Sequence, residues 1–292
     1  MRCLIKRLMQ FILIVVIIFI VTSIPSMFGI SNKHGEAILE FHPEDMFMNI
    51  PTFFTSLQVG TFGTYSINGV AHSVLNDIQS FSKNSAILLF SSILVALLFS
   101  LIFGVFLSYL KMTKLFRWFI NIFSIIPDFI IIIFSIAVAV EFYKWTNIRV
   151  ITLSPFSESV NLWFPISILS LMPTFYLFKM ISSRYIELSG MEYIRTAVGK
   201  GLDRHYINGR HILKNLIPYI FADLKKALSF TIGNLFIIEY LFNIKGLTIF
   251  IFADYQFQKV FLSLLILLAI ATLCYLFIKL LFYMIERVFI NA

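Results

Sequence analysis

Residues 85–110 carry no charged side chain at all. At about 1.5 Å of rise per residue, a helix of that length crosses the roughly 30 Å of a bilayer's hydrocarbon core. A lone segment in hydrocarbon must satisfy its own backbone amides, and a helix does so. The composition agrees: 13% of the residues are charged and 59% hydrophobic, against about 25% charged in ordinary soluble domains. Such a chain lacks the polar surface to coat a water-soluble globule, so an all-α membrane protein is expected. The formal net charge of +8 then reads as basic loops beside a membrane, with no nucleic-acid partner. Cys3 precedes the first apolar run and Cys274 lies inside the last. Both read as small buried hydrophobes rather than as a disulfide or metal pair.

Arg2, Lys6 and Arg7 stand before an apolar run over residues 8–30. That run exceeds the usual signal-peptide core of about 7–15 residues and no A-x-A site follows, so residues 1–30 are expected as a retained first spanning helix. Residues 31–84 turn polar and mixed and are expected outside the membrane. Phe47, Phe53, Phe54 and Leu57 there offer an apolar face to short helices resting on its surface. Residues 85–292 form the core, with five further spans expected at 85–110, 118–140, 162–179, 227–242 and 260–285. Pro127-Asp128 interrupts the third helix, and Pro165 and Pro173 loosen the fourth. Pro155 lies in an outer loop, 243–246 is a turn, and 247–259 returns at the outer surface.

On this topology most of the 23 lysines and arginines share one side of the membrane. Lys33, Lys83, Lys144, Arg149, Lys245 and Lys259 fall on the other. Because cytoplasmic loops carry the excess of basic residues, six helices with both termini cytoplasmic are expected.

Enzyme motifs are absent. There is no G-x-x-x-x-G-K-[ST] to wrap phosphates, so no ATP is expected on this chain, and no H-E-x-x-H. His205 and His211 stand six residues apart and share no helix face, so no metal site is expected there. Ionisable groups inside spans are costly and mark pathways or pairs. Asp128 and Glu239 are thus candidates for a pathway or gate, or for paired or interfacial carboxylates.

The longest polar, basic interval is 183–226. Residues 186–198 are rich in helix formers, and Gly199 and Gly201 then break the helix, glycine being about 1 kcal/mol poorer than alanine. Asp203 is an expected N-cap for a second helix through Leu216, with Tyr206, Leu213 and Ile217 near one face and Gly209 leaving room for close approach. Pro218 is expected to mark the start of the next helix. An amphipathic helix–glycine turn–helix of this length reads as a docking surface for a soluble partner rather than as a solvated loop.

These residues resemble a known family. Tyr193-Ile-Arg-Thr-Ala-Val-Gly-Lys-Gly-Leu202 followed by Arg210-His-Ile-Leu-Lys-Asn-Leu-Ile-Pro218 is similar to the EAA loop of ABC-importer permeases, in the form seen in dipeptide, oligopeptide and nickel permeases. Gly60-Thr-Phe-Gly-Thr-Tyr65, Ser124-Ile-Ile-Pro127, Glu239-Tyr-Leu-Phe-Asn-Ile-Lys-Gly-Leu247 and Asp254-Tyr255 resemble further family segments in the same order. The chain departs from the pattern in four places: Ile24-Pro-Ser-Met-Phe-Gly29 stands where a P-G-D-P-like sequence follows the first helix, Gly199 replaces the usual alanine, Lys245 a proline, and Asp128 a small residue.

The resemblance implies a type I importer permease fold in the cytoplasmic membrane of a bacterium. It implies a second permease subunit, two ABC ATPases that bind the ATP and Mg, and an extracytoplasmic solute-binding protein, with no cofactor on this chain. Arg195, Thr196 and Ala197 take the place of the E-A-A triplet and Gly201 that of the motif glycine. Tyr193, Gly199, Leu202, Arg210, His211, Asn215 and Pro218 complete the expected coupling loop. The cargo implied is a peptide, or a nickel or metallophore complex. An ion-gradient-driven secondary transporter, or a membrane scaffold that recruits a soluble partner, are the alternative readings.

Overall fold

The computed structural model describes residues 2–33, 36–60, 64–67, 70–109, 125–151, 161–253 and 255–287, together with Phe62, Trp118 and Ile122. Thr61, Gly63, Ser124, Pro155 and Asp254, all used in the sequence reading, lie outside the described residues. The chain divides into two compact units, Met1–Ser85 with Lys245–Ile270 and Ala86–Ile244 with Ala271–Ala292.

The first unit opens with α1 (Arg2–Ser23). Its regular turn stops where Pro25 enters a short 3-10 turn over Ile24–Met27, since proline brings no amide hydrogen to continue the ladder. The expected first helix through residue 30 is therefore shorter, and from Phe28 the chain is extended. β1 (Phe28–Lys33) and β2 (Glu36–Phe41) pair antiparallel, with Phe28 opposite Phe41. After α2 (Glu44–Val59), a second antiparallel hairpin joins β3 (Thr64–Ile67) to β4 (Val70–Ser73). The two hairpins correct the all-α expectation. α2 agrees with the helix anticipated around Phe47 and Phe53.

α3 (Val74–Tyr109) begins eleven residues before the expected residue 85. Its first turns carry Asp77 and Lys83 and so read as loop by hydropathy, yet they are held by tertiary bonds. Tyr65 Oη donates to Asp77 at 2.7 Å, Asn84 Nδ2 donates to the Lys245 carbonyl at 2.8 Å, and Ser85 Oγ accepts from Leu247 N–H at 2.8 Å. The Phe81 and Tyr65 rings pack on Phe250 of α9 (Leu247–Phe252). The last helix, α10 (Phe257–Ile285), starts in this unit with Lys259, which is 1% exposed. Its ammonium sits 5.2 Å and 5.0 Å from the centres of the Tyr65 and Phe250 rings, within cation–π range.

Burial, reinforced by the adjoining Asp77 carboxylate, pushes the Tyr65 phenol up to about 12. The folded chain thus keeps a proton that the unfolded chain loses near pH 10, so stability falls as pH rises through that window. Unfolding followed between pH 10 and 12 should show this decline, and Tyr65→Phe should flatten it.

The second unit contains the remainder of α3 and α10, with α4 (Asp128–Thr146), α5 (Trp163–Ser189), α6 (Glu192–Gly199), α7 (Arg204–Tyr206), a π-helical stretch over Ile207–Leu213, and α8 (Lys214–Leu241). α4 starts at Asp128 after the non-helical Ile125–Pro127, and Trp118 and Ile122 before it are helical, which agrees with the interruption expected at Pro127-Asp128. An extended proline forms its N-cap, and an acidic first turn suits the positive end of the helix dipole. α4 runs on to Thr146, beyond the expected 140, and closes on Asn147 in the left-handed region. α5 and α8 are the packed centre. Leu169, Leu177, Phe178 and Ile181 of the former are buried, as are Leu216, Leu224, Leu235 and Ile238 of the latter.

Five helices among the described residues are long and apolar enough to cross a membrane: Leu8–Met27, Val74–Val105, Asp128–Thr146, Trp163–Ser189 and Phe257–Ile285. The expected span at 227–242 lies within α8, which also carries Lys214, Asp223, Lys225, Lys226 and Glu239. Those charges dilute its hydropathy, while its buried residues recur along its whole length. A helix enclosed by other helices does not need the apolar surface that lipid demands.

Candidate functional site

The basic segment begins where α5 ends. Gly190 closes that helix, its N–H reaching the carbonyls of Ile186 and Glu187. Met191 is extended, with ψ 150°, and turns the chain into α6. The break between the two helices is therefore at Gly190-Met191, and the continuous helix expected over 186–198 is corrected to two. α6 buries Ile194 and Ala197, three residues apart, and exposes Tyr193, Arg195, Thr196 and Val198.

α6 closes in a Schellman arrangement. Leu202 N–H donates to the Ala197 carbonyl at 3.3 Å and Gly201 N–H to the Val198 carbonyl at 2.9 Å. Gly201 holds φ +75°, the left-handed position that this closure assigns to glycine. Gly199 instead ends α6 as an ordinary helical residue facing open space. Asp203 is the N-cap that its sequence position predicts, its carboxylate accepting from His205 N–H at 3.0 Å. Asp203→Ala should cost about 1 kcal/mol, or about fivefold in local opening. Hydrogen exchange at the His205 amide should speed accordingly.

From Arg204 the backbone stays helical through Leu241, and Pro218 sits inside α8 rather than at its start. The stretch Ile207–Leu213 is π-helical, so the turn there is wider than in an α-helix. Its buried positions step by five from Ile207 to Ile212, then by four through Leu216, Ile220 and Leu224. Of the Tyr206–Leu213–Ile217 face expected from ordinary helical spacing, Ile217 is buried and Leu213 half-buried, but across the wider turn Tyr206 is exposed. Gly209 meets open space instead of a close neighbour.

Polar bonds tie the segment together. Tyr185 Oη donates to Asn208 Oδ1 at 2.7 Å, joining α5 to the π stretch. Asn215 Nδ2 reaches Tyr193 Oη at 3.2 Å and the His211 carbonyl at 2.8 Å. The Arg210 guanidinium lies 5.5 Å from the centre of the Tyr206 ring, whose edge also meets His211. Tyr193, His211 and Asn215 are thus brought together. Arg195, Thr196, Gly199, Leu202, Arg210 and Pro218 stay at the surface, and Ala197 is sealed beneath it. Sequence reasoning missed Tyr185 and Asn208, for which the only local signal is the five-residue step between Ile207 and Ile212.

Behind the segment is a cavity of about 650 Å³, lined by Leu97 and Leu101 of α3, Ile217 of α8 and Ile278 and Phe282 of α10, with His205 and Asn208 as polar members. Asp128 stands apart from this segment. Its Oδ2 accepts from Asn234 Nδ2 of α8 at 2.7 Å, which supports the paired-carboxylate reading. Glu239, also away from the segment, is fully buried on α8.

Residues 96–291 match a family profile described as the binding-protein-dependent transport system inner membrane component. Over 94 residues the chain is 32% identical to proteins of Brucella abortus (strain 2308) and Brucella suis biovar 1 (strain 1330) that are provisionally named peptide transport system permease proteins. A protein of Brucella melitensis biotype 1 with the same provisional name matches at the same identity. The aligned stretch is 32% of this chain and spans 30% of the length of each relative.

Proposed function

Because the chain belongs to the family of binding-protein-dependent transport system inner membrane components, we propose that it is one of two permease subunits in an ABC importer of peptides. The provisional names of its relatives favour peptide over a nickel or metallophore complex as cargo. In this reading the chain forms half of the pathway, two ABC ATPases bind ATP and Mg, and a solute-binding protein delivers the cargo. No nucleotide is handled by this chain, whose sequence lacks a phosphate-wrapping loop. α8 serves as the sixth span, and both termini face the cytoplasm.

One observation carries the coupling role. The segment from Gly190 to Pro218 is a capped helix–turn–helix, with a buried apolar face and a basic exposed one. That geometry suits a cleft in a soluble partner, and closure of the ATPase pair would move it as a rigid body. Affinity purification of the tagged chain from its native membrane should recover two ATPases and a second permease. A lone chain that transports under an ion gradient would overturn the reading.

A further inference from the structure

Helix α2 carries an apolar stripe that its own unit leaves uncovered. Phe47, Met48 and Phe54 are 67%, 62% and 59% exposed, and Pro51 lies between them on the same face at a spacing of four and three residues. The only charges on α2 are Glu44 and Asp45 in its first turn. Left in water, these side chains would form an apolar patch of the kind that marks a binding surface.

The tethers of α2 say what covers the stripe. α1 and α10 are both apolar enough to cross a membrane, over Leu8–Met27 and Phe257–Ile285. The end of one meets the beginning of the other: the Phe19 ring lies 5.1 Å from Phe257 and 5.6 Å from Phe261, and Tyr255 Oη donates to the Thr22 carbonyl at 2.7 Å. Both spans therefore reach the same face of the membrane here. α2 is bound to that junction at three points. His42 N–H, just before the helix, donates to the Met27 carbonyl at 2.8 Å, and Asn49 Nδ2 donates to Ser26 Oγ at 2.8 Å. The Phe53 ring meets Phe261 edge-on at 5.0 Å. One side of α2 is thus fixed level with the 3-10 turn that follows α1 and with the second turn of α10, where the two apolar spans end.

We propose that α2 is an interfacial helix, with Phe47, Met48 and Phe54 seated in the lipid at the membrane face where α1 ends. The chemistry suits this depth, since aromatic side chains collect at the boundary and an amphipathic helix there buries its apolar face among headgroups and upper acyl chains. α2 has no lysine or arginine, so its attachment rests on apolar burial and covalent continuity with α1, not on anionic headgroups. The assignment gives residues 44–59 a role in holding the outer hairpins against the membrane, independent of any cargo.

Spin labels provide the test. In the full chain, with Cys3 and Cys274 replaced by alanine, single cysteines at Phe47, Phe53 and Phe54 are labelled. The protein is reconstituted in phosphatidylethanolamine–phosphatidylglycerol vesicles. Labels at positions 47 and 54 should collide with oxygen several-fold more effectively than with a water-soluble nickel chelate, while the label at 53 should be shielded from both. Free access of the chelate to 47 and 54 would place the stripe in water and overturn the proposal. Shielding of 47 and 54 from both reagents would assign the face to a protein neighbour and overturn it equally. Both positions are exposed, so labelling leaves the packing of the unit intact, and each checks the other.

Discussion

Ala197→Glu should reduce uptake about a hundredfold or more while leaving the amount of chain in the membrane unchanged. Ala197 is 5% exposed on the inner face of α6, and its carbonyl accepts the Leu202 amide that closes the turn. Burying an unpaired carboxylate there costs about 3 kcal/mol or more, so α6 would leave its seat rather than accept the charge. Each 1.4 kcal/mol or so is tenfold in population, which sets the size of the expected loss. Thr196→Glu is the control for position, because Thr196 faces solvent one residue away. Hydrogen exchange in α6 should rise in the first variant and stay low in the second. Normal uptake by Ala197→Glu would refute the coupling role of α6, and an equal loss of protein from the membrane would make the effect one of assembly.

Gly104→Val should destabilise the protein by about 1–3 kcal/mol, the range for overpacking a close contact. A Cβ at Gly104 on α3 would lie 2.9 Å from Ile181 Cγ2 and 3.3 Å from Ile181 Cβ on α5. Ile181 is buried and β-branched, so it is held at χ1 and does not swing aside. Small residues at such crossings let helix backbones approach within a membrane. Ile181→Ala should restore much of the loss, and a thermal unfolding cycle over the two single variants and the double variant measures the coupling. Additive losses would show that the two helices do not meet through this pair.

The parts of the Gly190–Pro218 segment differ in how they are encoded. Gly201 and Asp203 were legible because each solves a problem within five residues of itself. The first supplies a left-handed backbone and the second an acceptor for a free amide. The Tyr193–Asn215 and Tyr185–Asn208 bonds were not legible, because each joins residues 22 or 23 positions apart whose approach depends on the π turn between them. Ordinary helical spacing counted across such a turn puts Tyr206 on the buried face, whereas it is exposed. Asp128 illustrates the same limit. Its cost inside a span was readable, but the partner that relieves it, Asn234, is 106 positions away.

By itself the sequence determined that this chain lives in a membrane, where most of its spans lie, and where its long basic interval is turned and capped. Those properties depend on local sums of transfer free energy and on caps and glycines that act within a turn. Only the tertiary structure decided that α3 begins at Val74, that two hairpins interrupt the helices, and that α8 buries Glu239 while Lys214, Lys225 and Lys226 stay exposed. At the start of α3 and at Asp128 of α4 the deciding contacts are distant in sequence: Leu247 on Ser85, Phe250 on Phe81, Asn234 on Asp128. Hydropathy sums over neighbours in the chain, whereas burial is set by neighbours in space.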